Sequence, residues 1–206
     1  MNTKMVWRLL WVLLGLAWGG EPAAQAAESG LDSDGYIRDW IMLAPIPLPD
    51  GAAAADLLLK DEIKDESTLR PSDGDAVTVN GLKLTWKRIT AATNFFDFNA
   101  ILKTQNDRAV GYVVTYLECE KEMPDVTMAV ASNDQGRIYF NGVDIYAFTE
   151  ARPLMLDADK GRVTLKKGVN IIVFKIINEQ NSWQGAMRLM DKSGTPLKGV
   201  KIRLSP

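Results

Sequence analysis

Apolar residues along most of this chain fall in short runs separated by glycine, proline and asparagine, a pattern of β-strands rather than helices. A first run at 36–43 stops where Pro45, Pro47 and Pro49 each lack a backbone donor. The same pattern predicts further strands at 76–79, 82–86, 109–117, 126–131, 137–140, 143–148, 162–165, 169–177, 186–190 and 200–204. Only 52–59, with good helix formers and no breaker, predicts a helix. About ten short strands at this spacing predict an all-β sandwich.

Glycine-centred dipeptides mark the places where consecutive strands are predicted to turn. Asn80-Gly81 and Asn141-Gly142 are the strongest hairpin signals, because both residue types readily adopt the left-handed backbone of a two-residue turn. Lys167-Gly168 and Ser193-Gly194 lie between strand patterns in the same way. We therefore expect hairpins at the two Asn-Gly positions and at Lys167-Gly168, and a turn at Ser193-Gly194.

The N-terminal segment has the pattern of a secretory signal peptide. Lys4 and Arg8 precede the apolar run 9–18, and Ala24-Gln25-Ala26 supplies a small-x-small cleavage site. The apolar run is shorter than the ~18 residues of a membrane-spanning helix, although a retained anchor remains the alternative. We predict a secreted or periplasmic protein that is free of the membrane after cleavage. Its segments are a signal peptide at 1–26, a polar lead at 27–35 and one domain at 36–206.

The composition excludes several kinds of chemistry. The chain has no histidine and a single cysteine, Cys119, so histidine-based triads, the usual zinc sites and intrachain disulfides are ruled out. The formal net charge is −2, and it becomes −3 when the segment that carries Lys4, Arg8 and Glu21 is removed. A chain with this charge has no electrostatic reason to bind nucleic acid or an anionic membrane.

Polar residues at 132–136 precede the predicted strand at 137–140. Asn133 and Asp134 carry side-chain oxygens that suit either the hydroxyl groups of a sugar or a hard cation such as Ca²⁺. In the alternative interpretation these two residues only cap a hairpin turn, in which Gly136 supplies a positive φ. We predict no cofactor, with a structural calcium ion as the alternative, and the sequence does not identify the other ligands that such an ion would need.

Aromatic rings on which a sugar could stack are few once the leader is set aside. Trp40 and Trp86 lie within apolar strand patterns and are predicted to be in the core. Trp183 follows the polar segment 178–182, which includes Asn181 and is suited to presenting a ring or amides at a groove. Packing of the Trp183 ring into the core is the alternative. The adjacent pair Phe95-Phe96, beside Asn94, is an alternative stacking platform.

Alternating carboxylates at Glu118, Glu120 and Glu122 share one face of a predicted strand, ~7 Å apart along it. This spacing is compatible with a glycosidase pair. The favoured interpretation is a solvated strand end, where charge also discourages edge pairing. We therefore predict no catalytic residues and no enzymatic activity.

Several segments, in order, resemble the motifs of a known kind of module. Asp39-Trp40-Ile41-Met42-Leu43-Ala44-Pro45-Ile46-Pro47 resembles an opening Trp-x-x-x-Gly-Pro-Phe-Pro motif, and 131–142 is similar to a Ser-Asp-Asp-Gly…Trp-Leu-Asn-Gly hairpin. Further similarities lie at 97–100, 163–170 and 183–191. The modules in question are secreted bacterial galactose-binding-like jelly rolls associated with glycoside hydrolases, related to the sugar-binding domains of family 2 enzymes and to the PA14 group.

The resemblance implies a jelly-roll sandwich and a non-catalytic, extracytoplasmic carbohydrate-binding role. The ligand-binding residues would be Asn133, Asp134, Asn181 and Trp183, and the partner would be a carbohydrate. The alternative is a structural sandwich that binds another extracytoplasmic protein and no sugar, because one fold can host many functions.

Overall fold

The computed structural model describes residues 29–206, so the predicted signal peptide lies outside the described residues. The strands are β1 (Ser29–Gly30), β2 (Asp39–Pro47), β3 (Ala76–Val79), β4 (Leu82–Thr85), β5 (Lys87–Thr90), β6 (Phe96–Asp97), β7 (Ala109–Cys119), β8 (Met123–Asn133), β9 (Gln135–Phe140), β10 (Val143–Phe148), β11 (Asp159–Leu165), β12 (Gly168–Asn178), β13 (Gln184–Met190) and β14 (Val200–Arg203). The helices are α1 (Ala54–Leu58), α2 (Phe98–Leu102) and a 3₁₀ turn at Glu66–Thr68.

Two antiparallel sheets form the sandwich. The larger sheet has the order β1-β14-β7-β12-β9-β10, and β2 joins it beside β7 with β5 at its outer side. The smaller sheet has the order β11-β8-β13-β6, and β3 and β4 form a separate hairpin. The prediction of an all-β jelly-roll sandwich is therefore confirmed. Among the residues described, no helix is long and apolar enough to cross a membrane.

Aromatic rings fill the space between the two sheets. Phe96 meets Trp40 and Phe98 edge to face, with ring centroids 5.6 and 5.4 Å apart. Phe98 in turn stacks on Trp183 at 4.3 Å. Gly185 lets these rings approach the backbone, because a Cβ there would lie 2.5 Å from the Phe96 ring. Edge-to-face and offset contacts of this kind stabilise a core beyond the burial of area alone.

A covering segment, residues 54–71, packs on the opposite face of the larger sheet. Phe174 of β12 points into the core against Phe96, so its neighbour Lys175 points to the other face. There the Lys175 Nζ donates to the carbonyl oxygens of Leu57 and Lys60 at 3.0 and 2.6 Å. The larger sheet is thus buried on both faces, which explains why β7 and β12 are almost continuously apolar.

Local turn signals predict some connections and not others. The Asn80-Gly81 and Asn141-Gly142 hairpins are confirmed, since β3 pairs with β4 and β9 with β10. The hairpin predicted at Lys167-Gly168 is wrong, because this turn carries the chain from β11 of the smaller sheet to β12 of the larger one. The turn predicted at Ser193-Gly194 is confirmed by the hydrogen bond from the Gly194 N–H to the Asp191 carbonyl at 3.0 Å, and the chain then crosses to β14 of the larger sheet. A turn residue fixes where the chain reverses, whereas the face that each strand must bury decides its partner.

Smaller differences from the predicted elements also have physical reasons. The first strand continues through Pro45 to Pro47, because its register with β7 shifts between Leu43 and Ile46 and no ladder donor is needed there. The helix predicted at 52–59 is confirmed as α1. The short helix α2 was not predicted, and it begins where the Asp97 carboxylate accepts a hydrogen bond from the Ala100 N–H at 2.9 Å.

Candidate functional site

Three polar loops meet at one end of the sandwich, and we call residues 103–108, 133–135 and 178–183 the loop cluster. The Asn181 carbonyl oxygen accepts from the Gln105 Nε2 at 2.5 Å, and the Asn181 N–H donates to the Asp107 Oδ1 at 3.0 Å. The Gln135 side-chain amide donates to the Glu179 carboxylate. Residues from distant parts of the sequence therefore converge on one amide- and carboxylate-rich surface.

The crossover from β8 to β9 lies inside this cluster. The predicted hairpin tip is wrong, because β8 belongs to the smaller sheet and β9 to the larger one. Gly136 does not have a positive φ. Glycine is needed there for close approach instead, since a Cβ would lie 2.8 Å from the Ser132 Oγ and 3.1 Å from the Phe174 ring.

Asp134 is a buried hub that ties the crossover to the neighbouring loop. Its Oδ2 accepts from the Glu179 N–H at 3.0 Å, and its own N–H donates to the Ile177 carbonyl at 3.1 Å. Burial raises the pKa of this carboxyl, and backbone N–H groups of Glu179, Arg152 and Gln180 oppose that rise. Only 8 % of the surface of Asp134 is exposed. Its main structural role is therefore to hold the crossover against the loop after β12.

Three residues of the loop cluster carry buried amide oxygens without a hydrogen-bond partner. Within residues 29–206 the Oδ1 atoms of Asn133 and Asn178 and the Oε1 of Gln135 are buried and accept no hydrogen bond from the protein. Polar atoms in such a position are normally satisfied by ordered water or by an ion. No group of three or more acidic or cysteine side chains in the described part of the chain has metal-binding geometry, so an ion here would depend on amide and backbone oxygens.

Asn181 is the exposed member of the predicted site. Its backbone has φ of 68°, the left-handed conformation that asparagine and glycine tolerate best. Its main-chain groups are engaged by Gln105, Asp107 and Asn99, whose Nδ2 donates to the Asn181 carbonyl at 2.8 Å. The backbone is therefore held while the side-chain amide lies at the surface.

Trp183 corrects the expectation of an exposed stacking ring. It has 0 % of its surface exposed, and its Nε1 donates to the Ile176 carbonyl at 3.3 Å. The polar loop before it raised the expectation of a surface ring, but the chain enters β13 here and turns the indole inward onto Phe98. Trp40 and Trp86 are buried as predicted. Of the alternative stacking pair, Phe96 is in the core and cannot present its ring, whereas Phe95 is half-buried.

The carboxylates of Glu118, Glu120 and Glu122 lie at the end of β7 and in the turn that follows it. Glu118 lies 3.8 Å from the Arg203 guanidinium, and both side chains are more than a third exposed. Glu120 and Glu122 are exposed at the turn into β8. This geometry is that of a solvated strand end. The nearby Cys119 thiol is buried, which raises its pKa.

A second polar network closes the edge of the sandwich next to the loop cluster. The Arg152 guanidinium donates to the Tyr146 hydroxyl at 2.7 Å and to the Asp159 carboxylate at 2.6 Å, and lies 3.6 Å from the Phe148 ring centroid. Its Nε also donates to the Ser132 carbonyl at 3.2 Å. Burial alone raises the pKa of Asp159, but the hydrogen bonds from Arg152 and Tyr146 outweigh it and hold that pKa below its ordinary value.

A fully buried ion pair lies beneath the covering segment. The Lys175 Nζ is 3.2 Å from the Glu66 Oε2, and neither side chain has any exposed surface. Hydroxyl groups of Tyr112 and Tyr139 donate to the two Glu66 oxygens at 2.6 and 3.0 Å. Burial lowers the pKa of Lys175, and the Glu66 carboxylate partly offsets this. Sequence reasoning missed this network, whose visible signal is one lysine inside an apolar strand.

Alkaline pH is expected to destabilise the fold through these tyrosines. Burial and the Glu66 carboxylate raise the pKa of Tyr112 well above its ordinary value of 10.0, and the pKa of Tyr139 is raised likewise. Their stabilising contribution is complete below the unfolded pKa and is lost as the pH rises above it. The lowered pKa of Lys175 changes the stability in the opposite direction as the pH rises. A variant is therefore needed to isolate the contribution of the tyrosines.

Tyr112→Phe provides that test. Urea unfolding at pH 8 should show a loss of about 1.5–3 kcal/mol from the missing hydrogen bond to a charged group. The gap between wild type and variant should narrow at pH 10.5 and above, because only wild type loses the Tyr112 contribution. A constant gap across this range would contradict the assignment.

Comparisons with known proteins find similarity at the level of structure and not of sequence. No family model and no curated protein matches the sequence. Among solved structures, the chain is similar to the crystal structure of the PA14 domain of the antifreeze protein MpAFP, with a TM-score of 0.42 and 8 % sequence identity. The similarity covers 91 % of this chain and 97 % of that chain. A specific family for this chain stays a prediction.

Proposed function

We propose that this protein is a non-catalytic carbohydrate-binding module whose ligand contacts the loop cluster. The observation that carries the proposal is the convergence of loops 103–108, 133–135 and 178–183 through direct hydrogen bonds. This convergence brings Asn133, Asp134 and Asn181 to one end of the sandwich. Such a surface is suited to polyhydroxylated ligands, because amides both donate and accept hydrogen bonds and carboxylates accept them.

The members of the cluster have different roles in this proposal. Asn181 contacts the ligand, since its side chain lies at the surface while its backbone is fixed by Gln105 and Asp107. Asp134 is a positioning residue, because its carboxylate is occupied by the Glu179 N–H. Trp183 has no part in stacking, because its ring is entirely in the core.

A structural calcium ion fits the donor chemistry of the cluster. Ca²⁺ takes six to eight oxygen ligands and accepts amide and backbone carbonyl oxygens beside carboxylates. The unpartnered oxygens of Asn133, Gln135 and Asn178 are of this kind, and the carboxylates of Asp134 and Glu179 belong to the same loops. A bound ion would hold the crossover against the loop after β12. Adding Ca²⁺ or a chelator to the binding assay tests this part of the proposal.

The proposal also places the protein outside the cytoplasm, secreted or in the periplasm. It rests on the charged start, the apolar run and the cleavage pattern within 1–26. Mass spectrometry of the protein from its native host should give an N-terminus at Ala27. An intact N-terminus would contradict this location.

Glycan binding and its loss in Asn181→Gly test the function. Glycine keeps the left-handed backbone and removes only the amide. A glycan array followed by calorimetry on the best ligand should show saturable binding by wild type and a loss of about five- to tenfold in the variant, the worth of one neutral hydrogen bond. Asn80→Gly is the matched control, because Asn80 has φ of 50° in the separate β3–β4 hairpin. If the folded wild-type protein binds no glycan either with or without Ca²⁺, the proposal is overturned.

A protein-interaction role is the second candidate. Strand β10 is the last strand of the larger sheet, and Val143 and Ile145 on it are 62 % and 39 % exposed. An edge strand with exposed apolar residues can add a strand from another protein. A specific protein partner whose binding is abolished by Ile145→Lys, in a protein that binds no glycan, would favour this role.

A further inference from the structure

A groove of about 440 Å³ runs along the free edge of the smaller sheet. It lies between the segment 90–95 and helix α2, with strand β6 as its floor. The residues that matter for recognition are Thr90, Phe95, Asp97, Ala100, Ile101 and Gln184. A space of this size lies within the range of small-ligand sites.

The groove continues into the loop cluster through a row of polar side chains. Gln184 is the cross-strand neighbour of Asp97 on one side and of Asn133 on the other. The three side chains therefore project from the same outer face of the smaller sheet. The Gln184 Nε2 donates to the Asp97 Oδ2 at 2.8 Å, so this part of the row is held in place. A ligand bound at Asn133 can extend along the row without leaving the protein surface.

Phe95 supplies the aromatic ring that Trp183 does not. Its ring packs against a small cluster on the outer face that includes Ala131 and Ala186, and it also lines the groove. One part of the ring is therefore supported by the sheet while another part stays accessible, since the residue is half-buried. A supported ring beside a carboxylate and an amide combines an apolar face with hydrogen-bonding groups.

The charge of the groove narrows the class of ligand. Asp97 is the only charged side chain among its lining residues. Its two oxygens accept from the Ala100 N–H and the Gln184 Nε2, and each carboxylate oxygen retains a further lone pair for a hydroxyl donor. An anionic sugar would meet this carboxylate without any cationic partner from the groove. The groove therefore favours an uncharged sugar ring.

We propose that this groove is an extension subsite for neutral oligosaccharides, in which one sugar ring lies on Phe95 and hydrogen-bonds to Asp97 and Gln184. The inference rests on the proposed function and deepens it. The loop cluster holds one end of the chain, and the groove holds a ring further along. Affinity should therefore rise with chain length until the groove is filled.

Calorimetry with defined oligosaccharides tests the subsite. The probes are neutral oligomers of glucose, galactose, mannose, xylose and N-acetylglucosamine, from one to six units, with oligogalacturonates as the anionic comparison. Phe95→Leu keeps an apolar side chain against Ala131 and removes the flat ring, whereas Phe95→Tyr retains the ring. We expect Phe95→Leu to lose at least tenfold in affinity for the longest bound oligomer and little for its monosaccharide. We expect Phe95→Tyr to stay within about twofold of wild type, and we expect oligogalacturonates to bind at least tenfold more weakly than neutral oligomers.

The outcomes separate the subsite from the proposed function. If wild type binds glycans, Asn181→Gly weakens binding and Phe95→Leu has no effect, the subsite is wrong and the function stands. If oligogalacturonates bind as tightly as neutral oligomers, the assignment of ligand class is wrong. If folded wild type binds no glycan at all, both the proposed carbohydrate-binding function and the proposed subsite are wrong. Thermal melting of each variant shows that losses are not due to unfolding.

Discussion

Replacing Lys175 with methionine is expected to lower the free energy of unfolding by about 3–5 kcal/mol, the usual cost of removing one partner from a buried ion pair. The Glu66 carboxylate would remain, with no exposed surface and without its cationic partner. The carbonyl oxygens of Leu57 and Lys60 would also lose their donor. Since small domains are stable by about 5–15 kcal/mol, the loss would be a large fraction of the total.

Urea denaturation of four variants makes this prediction specific. The double variant Lys175→Met, Glu66→Leu should be less destabilised than the sum of the single changes, because no charge is left buried. The control is Arg203→Met, which removes one partner of the pair with Glu118 on the same sheet, where both side chains are more than a third exposed. That change should cost no more than about 1 kcal/mol. Equal losses in the free energy of unfolding for Lys175→Met and Arg203→Met would show that burial does not increase the cost of breaking the Lys175–Glu66 pair.

The buried pair also marks where sequence reasoning stops. A single lysine within the apolar run of β12 is visible in the sequence, and it indicates that something must satisfy its charge. Its partner Glu66 is 109 positions away, inside a charged stretch for which the sequence predicts no strand. Nothing local distinguishes Glu66 from its acidic neighbours, so the covering segment could not be predicted.

The strands β7 and β12 could be predicted from the sequence, but not every connection between strands could. Strands buried on both sides are predicted to be long and apolar, and they are. The Asn-Gly hairpins were also predictable, because two adjacent residues determine the geometry of such a turn. The turns at Lys167-Gly168 and Ser193-Gly194 instead join the two sheets. Local chemistry cannot tell a hairpin from a crossover, since that choice depends on which distant strand buries the same face.

The candidate site was predictable in part for a similar reason. Asn133, Asp134 and Asn181 lie in turns that are rich in polar residues, and the structure brings those turns together. The roles within the cluster depend on burial, which the sequence does not give. Asp134 became a positioning residue and Trp183 a core residue, whereas Phe95 stayed at the surface.

Trp183→Ala is expected to cost about 3–5 kcal/mol, as do other truncations of large buried aromatic residues. The indole stacks on Phe98 at 4.3 Å and lies against Gly111, where a Cβ would be 2.7 Å from its Cζ2. Its removal would leave a cavity between the sheets and strand the Ile176 carbonyl that accepts its N–H. Urea or thermal unfolding measures the loss.

The same variant separates a core role from a ligand-binding role. If Trp183 acts only in the core, Trp183→Ala should bind glycan with wild-type affinity per folded molecule at a temperature where it remains folded. Phe95→Leu should show the reverse, with weaker binding at little cost in stability, because Phe95 is half-buried on the outer face. Lost binding by a Trp183→Ala protein of unchanged stability would mean that the ring contacts the ligand. That result would be incompatible with an indole that has no exposed surface.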